Sequence, residues 1–160
     1  MDSDSVDSLR EWVKSLPASQ MVYPTALTDR IKYAFWRIYT PYHSWVRDTA
    51  TKARIVRHEG RQDFLFGVIA PHLTVQEFVM SLIEKGFGNH FVAWKDDGEL
   101  VSLRYVKDFA FQYHLRIFVD REVRGHYEYT PEYRPVAHIR EVGMLERKED
   151  FLIFLQDQIV

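Results

Sequence analysis

Between positions 111 and 130 the chain alternates apolar and polar side chains with a period of two, and this pattern limits the fold more than any other feature. Phe111, Tyr113, Leu115, Ile117 and Val119 fall on one side of an extended segment, and Gln112, His114, Arg116 and Phe118 fall on the other. Residues 123–130 alternate as well, so the two segments are expected to form an antiparallel hairpin with one face on a core. Register decides which polar groups meet. A two-residue turn sets Leu115 against His126 and mixes the faces. A three-residue loop of Asp120, Arg121 and Glu122 sets Leu115 against Tyr127 and Tyr113 against Tyr129. The second register is the expected one. It places His114 opposite Glu128 and Arg116 opposite His126, with Cβ atoms about 4.5–5.5 Å apart.

A further hairpin is expected at 90–105, where Asp97-Gly98 supplies a strong turn signal. A tight turn there pairs Trp94 with Val101 and Val92 with Leu103, leaving Phe91, Ala93, Ser102 and Arg104 on the opposite face. Segments 54–58 and 62–69 flank Glu59-Gly60 and suggest two more short strands. Thr74 and Glu77 match the capping box, in which each side chain satisfies the other's free backbone N–H. Val75, Phe78, Val79 and Leu82 follow at helical spacing, and Gly86 provides a stop. A last helix is expected over 146–159, with Phe151, Phe154, Leu155 and Ile159 inward.

The first third of the chain is expected to be mostly helical. Val6, Leu9, Val13 and Leu16, widened by Trp12, share one face of a helix that Pro17 ends. Leu27, Ile31, Phe35 and Ile38 recur at helical spacing in a second helix starting between 24 and 28. Pro41 interrupts it, and 43–53 forms a third, with Val46, Ala50 and Ala53 on one side. The expected class is therefore α+β, an antiparallel sheet of hairpins packed on helices. One domain spans 1–160, with 1–53 mainly helical and 54–160 carrying the sheet.

Composition narrows the function classes. Lys and Arg number 21 against 23 Asp and Glu, a formal charge of −2, so the chain is not a globally basic nucleic-acid binder. Cysteine is absent, which removes disulfides, cysteine-held metals and cysteine nucleophiles. No stretch nears the roughly 18 apolar residues of a membrane span, and the acidic start lacks the basic segment of a secretory signal. A cytoplasmic protein without a membrane partner is expected. Charge is uneven, however. From Arg30 to Arg61 eight cations face Asp48 and Glu59, while residues 1–20 and the tail from Glu141 are acidic.

Two sets of residues could carry function. His114, Arg116, His126 and Glu128 form the candidate catalytic cluster on the polar face. Two imidazoles share acid and base roles near neutral pH, Glu128 fixes the tautomer of His114, and Arg116 receives a phosphate or carboxylate. Arg104, Gln112, Arg124 and His138 are candidate ligand contacts around it, and Gly125 suggests close approach of a ligand or another backbone, or a bulge. This chemistry suits phosphate recognition, as in a metal-independent nuclease or phosphodiesterase-like enzyme, with no cofactor implied. The same cluster read as two His and one carboxylate gives a metal-dependent enzyme, against which the fixed charge of Arg116 counts. Alternatively, Arg47, Lys52, Arg54 and Arg57, interleaved with Tyr33, Phe35, Trp36, Tyr39, Tyr42 and Trp45, suit a nucleic-acid or protein-binding module. Phe35 lies on the apolar stripe, and several of these aromatics are expected in the core. Oligomeric state is not fixed by the sequence.

Overall fold

The computed structural model describes residues 3–55, 62–90, 96–135 and 143–160. Three helices come first: α1 (Ser3–Lys14), α2 (Leu27–Tyr39) and α3 (His43–Lys52). A 3-10 turn at Thr40–Tyr42 joins the last two, with Pro41 in its first turn. Strand β1 (Phe64–Val68), helix α4 (Val75–Glu84) and strands β2 (Gly88–Asn89), β3 (Glu99–Val106), β4 (Phe111–Phe118) and β5 (Glu122–Tyr129) follow, and α5 (Lys148–Leu155) closes the chain. The strands form one antiparallel sheet in the order β1-β5-β4-β3-β2. The α+β class expected from the pattern is the class observed.

One face of the sheet carries the apolar core. Val101, Leu103, Tyr113, Leu115, Ile117, Val123 and Tyr127 pack with Leu9, Val13 and Leu16 of α1 or just after it, with Val75, Phe78, Val79 and Leu82 of α4, and with Phe151 and Leu155 of α5. The positions expected to face inward on α1 and α4 thus do so. Helix α5 is shorter than expected. It ends at Leu155, and Ile159 instead bridges Ile69 as the C-terminal residues run along the end of β1. Val119 is exposed rather than core, because it lies in the β4–β5 turn.

The strand pairings correct the expected registers. In the β4–β5 hairpin His114 faces His126, Gln112 faces Glu128, Leu115 faces Gly125 and Arg116 faces Arg124. The loop has three residues as expected, but they are Val119, Asp120 and Arg121. The turn closes one residue earlier along the chain, which moves every partner by two, because Arg121 adopts a left-handed φ of 72° and donates its N–H to the Phe118 carbonyl. The Arg121 guanidinium holds that conformation by donating to the carbonyls of Ile69, Ala70 and Leu73. A shift by two preserves which face each residue occupies. Gly125 is a site of close backbone approach, not a bulge: a Cβ there would meet the His114 carbonyl oxygen at 2.4 Å.

The β2–β3 pairing differs too. Asn89, not Val92, opposes Leu103, and positions 91–95 lie outside the described residues. Asp97-Gly98 does turn, with Gly98 at φ 77° and the Glu99 N–H on the Asp96 carbonyl. Strand β1 pairs with β5. Its proposed hairpin partner falls partly on the turn at Arg54 and Ile55 and otherwise outside the described residues.

The capping box forms as read: the Glu77 N–H donates to Thr74 Oγ1 at 3.1 Å, and the Thr74 N–H donates to Glu77 Oε2 at 2.7 Å. The Thr74 N–H and hydroxyl, both donating to Glu77 Oε2, hold the Glu77 carboxyl below its ordinary pKa. Thr74→Ala is expected to lower the unfolding free energy by about 1 kcal/mol, read from urea denaturation with an unchanged m-value.

Candidate functional site

Alternation places His114 and Arg116 of β4, His126 and Glu128 of β5, and Ser102 and Arg104 of β3 on the face opposite the apolar core. On that face His114, Arg116 and His126 are each 1% exposed, and Gln112, Glu128, Ser102, Glu99 and Glu132 are buried with them. The cover includes backbone. Gly143, at φ 87°, lies against His126 so closely that a Cβ would come within 2.6 Å of the ring, and Met144 bridges Tyr127 beside it. The sheet therefore separates an apolar interior from a polar one.

At the centre the two imidazoles face each other edge to face, with ring centroids 4.9 Å apart. His114 Nδ1 and His126 Nε2 are 3.3 Å apart. Glu128 Oε1 lies 3.5 Å from the first nitrogen, and Glu128 Oε2 lies 3.2 Å from the second. These three side chains each offer a ligand atom, and those atoms lie within 4.8 Å of one another. Each also has a partner behind it. Asp63 Oδ1 lies 2.5 Å from His126 Nδ1, Ser102 Oγ lies 2.6 Å from His114 Nε2, and Gln112 Nε2 donates to Glu128 Oε1 at 2.6 Å. His90 stacks edge-on against His114 with centroids 5.1 Å apart.

The charges decide how the cluster behaves. Burial alone would lower the pKa of His126, but Glu128 and Asp63 outweigh it and raise the imidazolium to about 9. Asp63 itself, although burial opposes ionisation, is held below the ordinary carboxyl range by His126 and Arg116. Arg116 does not wait for an anion. Its Nε and Nη2 donate to Glu99 Oε2 at 3.1 and 2.7 Å, and its other contacts go to Asp63 and Asp96. The fixed cation that argued against a metal is thus offset by three carboxylates.

The remaining candidates separate. Arg104 donates to Gln112 at 3.2 Å and to Glu132 at 3.3 Å, and also reaches Ser19 and Met21. With Arg37, Trp36, Tyr33 and Glu132 it lines a cleft of about 360 Å³ beneath α2. Arg124 stands at the margin, paired with Glu122 and lying over the Phe118 ring at 4.4 Å. Arg47 and Lys52 lie on α3 and Arg54 in the turn after it, away from this cluster. His138 and Arg57 lie outside the described residues.

Sequence reasoning missed Asp63, Asp96, Glu99 and Glu132. Asp63 precedes β1, Asp96 precedes the Asp97-Gly98 turn, Glu99 opens β3 just before a break in its register, and Glu132 follows β5, so strand alternation could not assign them a face. The signal available was Ser102 and Arg104, which the alternation of β3 had already put on the polar side. Comparison with models of protein families, with curated proteins and with solved structures gives no match.

Truncating Arg116 leaves three carboxylates facing one another, Glu99 fully buried and Asp63 and Asp96 partly so. Arg116→Met is expected to cost about 3–5 kcal/mol of stability, and adding Asp63→Asn should recover part of it. Arg124→Ala, at the exposed margin, should cost less than about 1 kcal/mol. Chemical denaturation of the three variants checks the ranking.

Proposed function

We propose that this protein binds a divalent cation of the zinc class through His114 Nδ1, His126 Nε2 and a Glu128 carboxylate oxygen. The observation that carries the reading is the close approach of the ligand atoms: His114 Nδ1 and His126 Nε2 are 3.3 Å apart, with one Glu128 oxygen 3.5 Å from the first and the other 3.2 Å from the second. A tetrahedral zinc with bonds of about 2.0–2.1 Å has ligand atoms about 3.3–3.4 Å apart. The supporting shell agrees. A carboxylate behind a ligating imidazole orients the ring and strengthens its donor nitrogen, the role available to Asp63 on His126. Ser102 and Gln112 bond to the other two ligands and orient them. Charge agrees as well, since Asp63, Asp96, Glu99 and Glu128 outnumber Arg116 and His126. A cation seated there replaces the proton that His126 Nε2 otherwise shares with Glu128.

The burial of all three ligands favours a site that fixes β4 against β5, and three protein ligands leave the fourth position of a tetrahedral zinc to water. Phosphoester hydrolysis at the same face, with His126 and His114 as acid and base, draws on the imidazole pair. It requires Arg116 to release carboxylates before it can receive an anion.

Protein purified without a polyhistidine tag is expected to take up one equivalent of zinc. Glu128→Gln should weaken zinc binding at least about 100-fold, and Asp63→Asn about 10–100-fold, by competition with a chromophoric chelator. Cobalt substitution should give the visible absorption of a four-coordinate site. Wild-type affinity no better than that of folded Glu128→Gln protein would sink the reading. Phosphodiester turnover by metal-stripped protein that depends on His126 would favour the hydrolase instead.

A further inference from the structure

Helix α2 carries its apolar stripe on the wrong side for a core. Leu27, Ile31 and Ile38 are 73, 63 and 71% exposed, Phe35 is 48% exposed, and α2 has no buried residue. The stripe continues beyond the Pro41 turn with Tyr42 and Trp45, 60 and 68% exposed. The expectation that several aromatics of this segment lie in the core holds only as far as half-burial, for Tyr33, Trp36 and Tyr39. The opposite side of α2 is the attached one. Tyr33 packs edge-on against Tyr23 and Phe109, Lys32 lies 3.8 Å over the Tyr133 ring, and Trp36 lines the cleft above Arg104, with exposed Arg37 bordering both that cleft and the apolar side. The body thus holds the arm so that its apolar side points outward.

Charge selects what can cover that side. Exposed Arg30 and Arg37 immediately precede Ile31 and Ile38, so both flank the stripe on the same side, and exposed Lys52 and Arg54 follow at the far end. Acidic residues in the arm are Asp29, which is paired with Lys32, and Asp48. A second copy docking through the same face would bring two sets of arginines together. A nucleic acid offers phosphates and stacking bases but nothing for Leu27, Ile31 and Ile38. An anionic bilayer offers an apolar layer below a negative surface, with aromatic side chains suited to the boundary.

We infer that the arm formed by α2 and α3 docks flat on an anionic lipid surface, burying Leu27, Ile31, Phe35 and Ile38 and setting Arg30 and Arg37 among the headgroups. The expectation of no membrane partner rested on the lack of a span, and no helix among the described residues is long and apolar enough to cross. A helix lying in the interface needs no span. The docking face shares no residue with the cluster between β4 and β5.

The test is co-sedimentation of the full chain with vesicles of phosphatidylcholine alone or with 30 mol% phosphatidylserine. Partitioning is expected to be at least about tenfold stronger on the anionic vesicles and to fall at least about tenfold in Arg30→Gln/Arg37→Gln. Ile31→Asp/Ile38→Asp should abolish it while leaving the unfolding midpoint within a degree or two, because both side chains are exposed. Equal partitioning on neutral vesicles, or wild-type partitioning by the isoleucine variant, overturns the inference. So does a dimer in sedimentation equilibrium that Ile31→Asp/Ile38→Asp dissolves, which assigns the face to a second copy. Tight binding of single-stranded RNA that survives the isoleucine changes but not the arginine changes also overturns it.

Discussion

Charge taken out of water on one face of the sheet governs much of this structure. An ionised side chain is tolerated in an interior only when partners replace the water it has lost, and removing one partner exposes the others to the full desolvation penalty. Here Arg116 joins three carboxylates, His126 sits between Asp63 and Glu128, and Arg104 ties Gln112 to Glu132. The groups come from β3, β4 and β5 and from the segments around them, so the network fixes those segments against the sheet. The same strands present Leu103, Tyr113, Leu115 and Ile117 to the apolar core on their other side. Shifting a strand by one residue would exchange these two sets. Burial on both faces therefore specifies register more strongly than a half-solvated sheet could.

Much of this was legible in the sequence and some was not, for separable physical reasons. Alternation along 111–119 assigns each side chain of β4 to the correct face, because parity is a property of the strand alone. Which residue opposes which depends on the turn. There Arg121 takes a left-handed conformation that sequence reasoning expects of glycine or asparagine, so the pairing came out two residues away. That shift brings His114 and His126 directly opposite each other, which the expected register did not. The capping box of α4 was legible because its two partners lie three residues apart and answer only to each other. The carboxylates that neutralise Arg116 were not, since their positions depend on tertiary packing of turns and strand ends.

Helix α2 shows the complementary limit. Spacing reveals that Leu27, Ile31, Phe35 and Ile38 share a side, but periodicity carries no information about which way that side faces. Tyr33, Lys32 and Trp36 decide it by packing on Phe109, Tyr133 and the cleft above Arg104. The molecule thus has a buried polar centre on one side of the sheet and an apolar, cation-flanked arm, and the two draw on different residues.

The central claim concerns what sits between the two imidazoles and Glu128. Anomalous diffraction at the zinc edge, on crystals of protein given one equivalent of zinc, addresses it directly. One peak about 2.0–2.3 Å from His114 Nδ1, His126 Nε2 and a Glu128 oxygen is predicted. Zinc found only at surface carboxylates, with the buried imidazoles still hydrogen-bonded to one another and to Glu128, would contradict it.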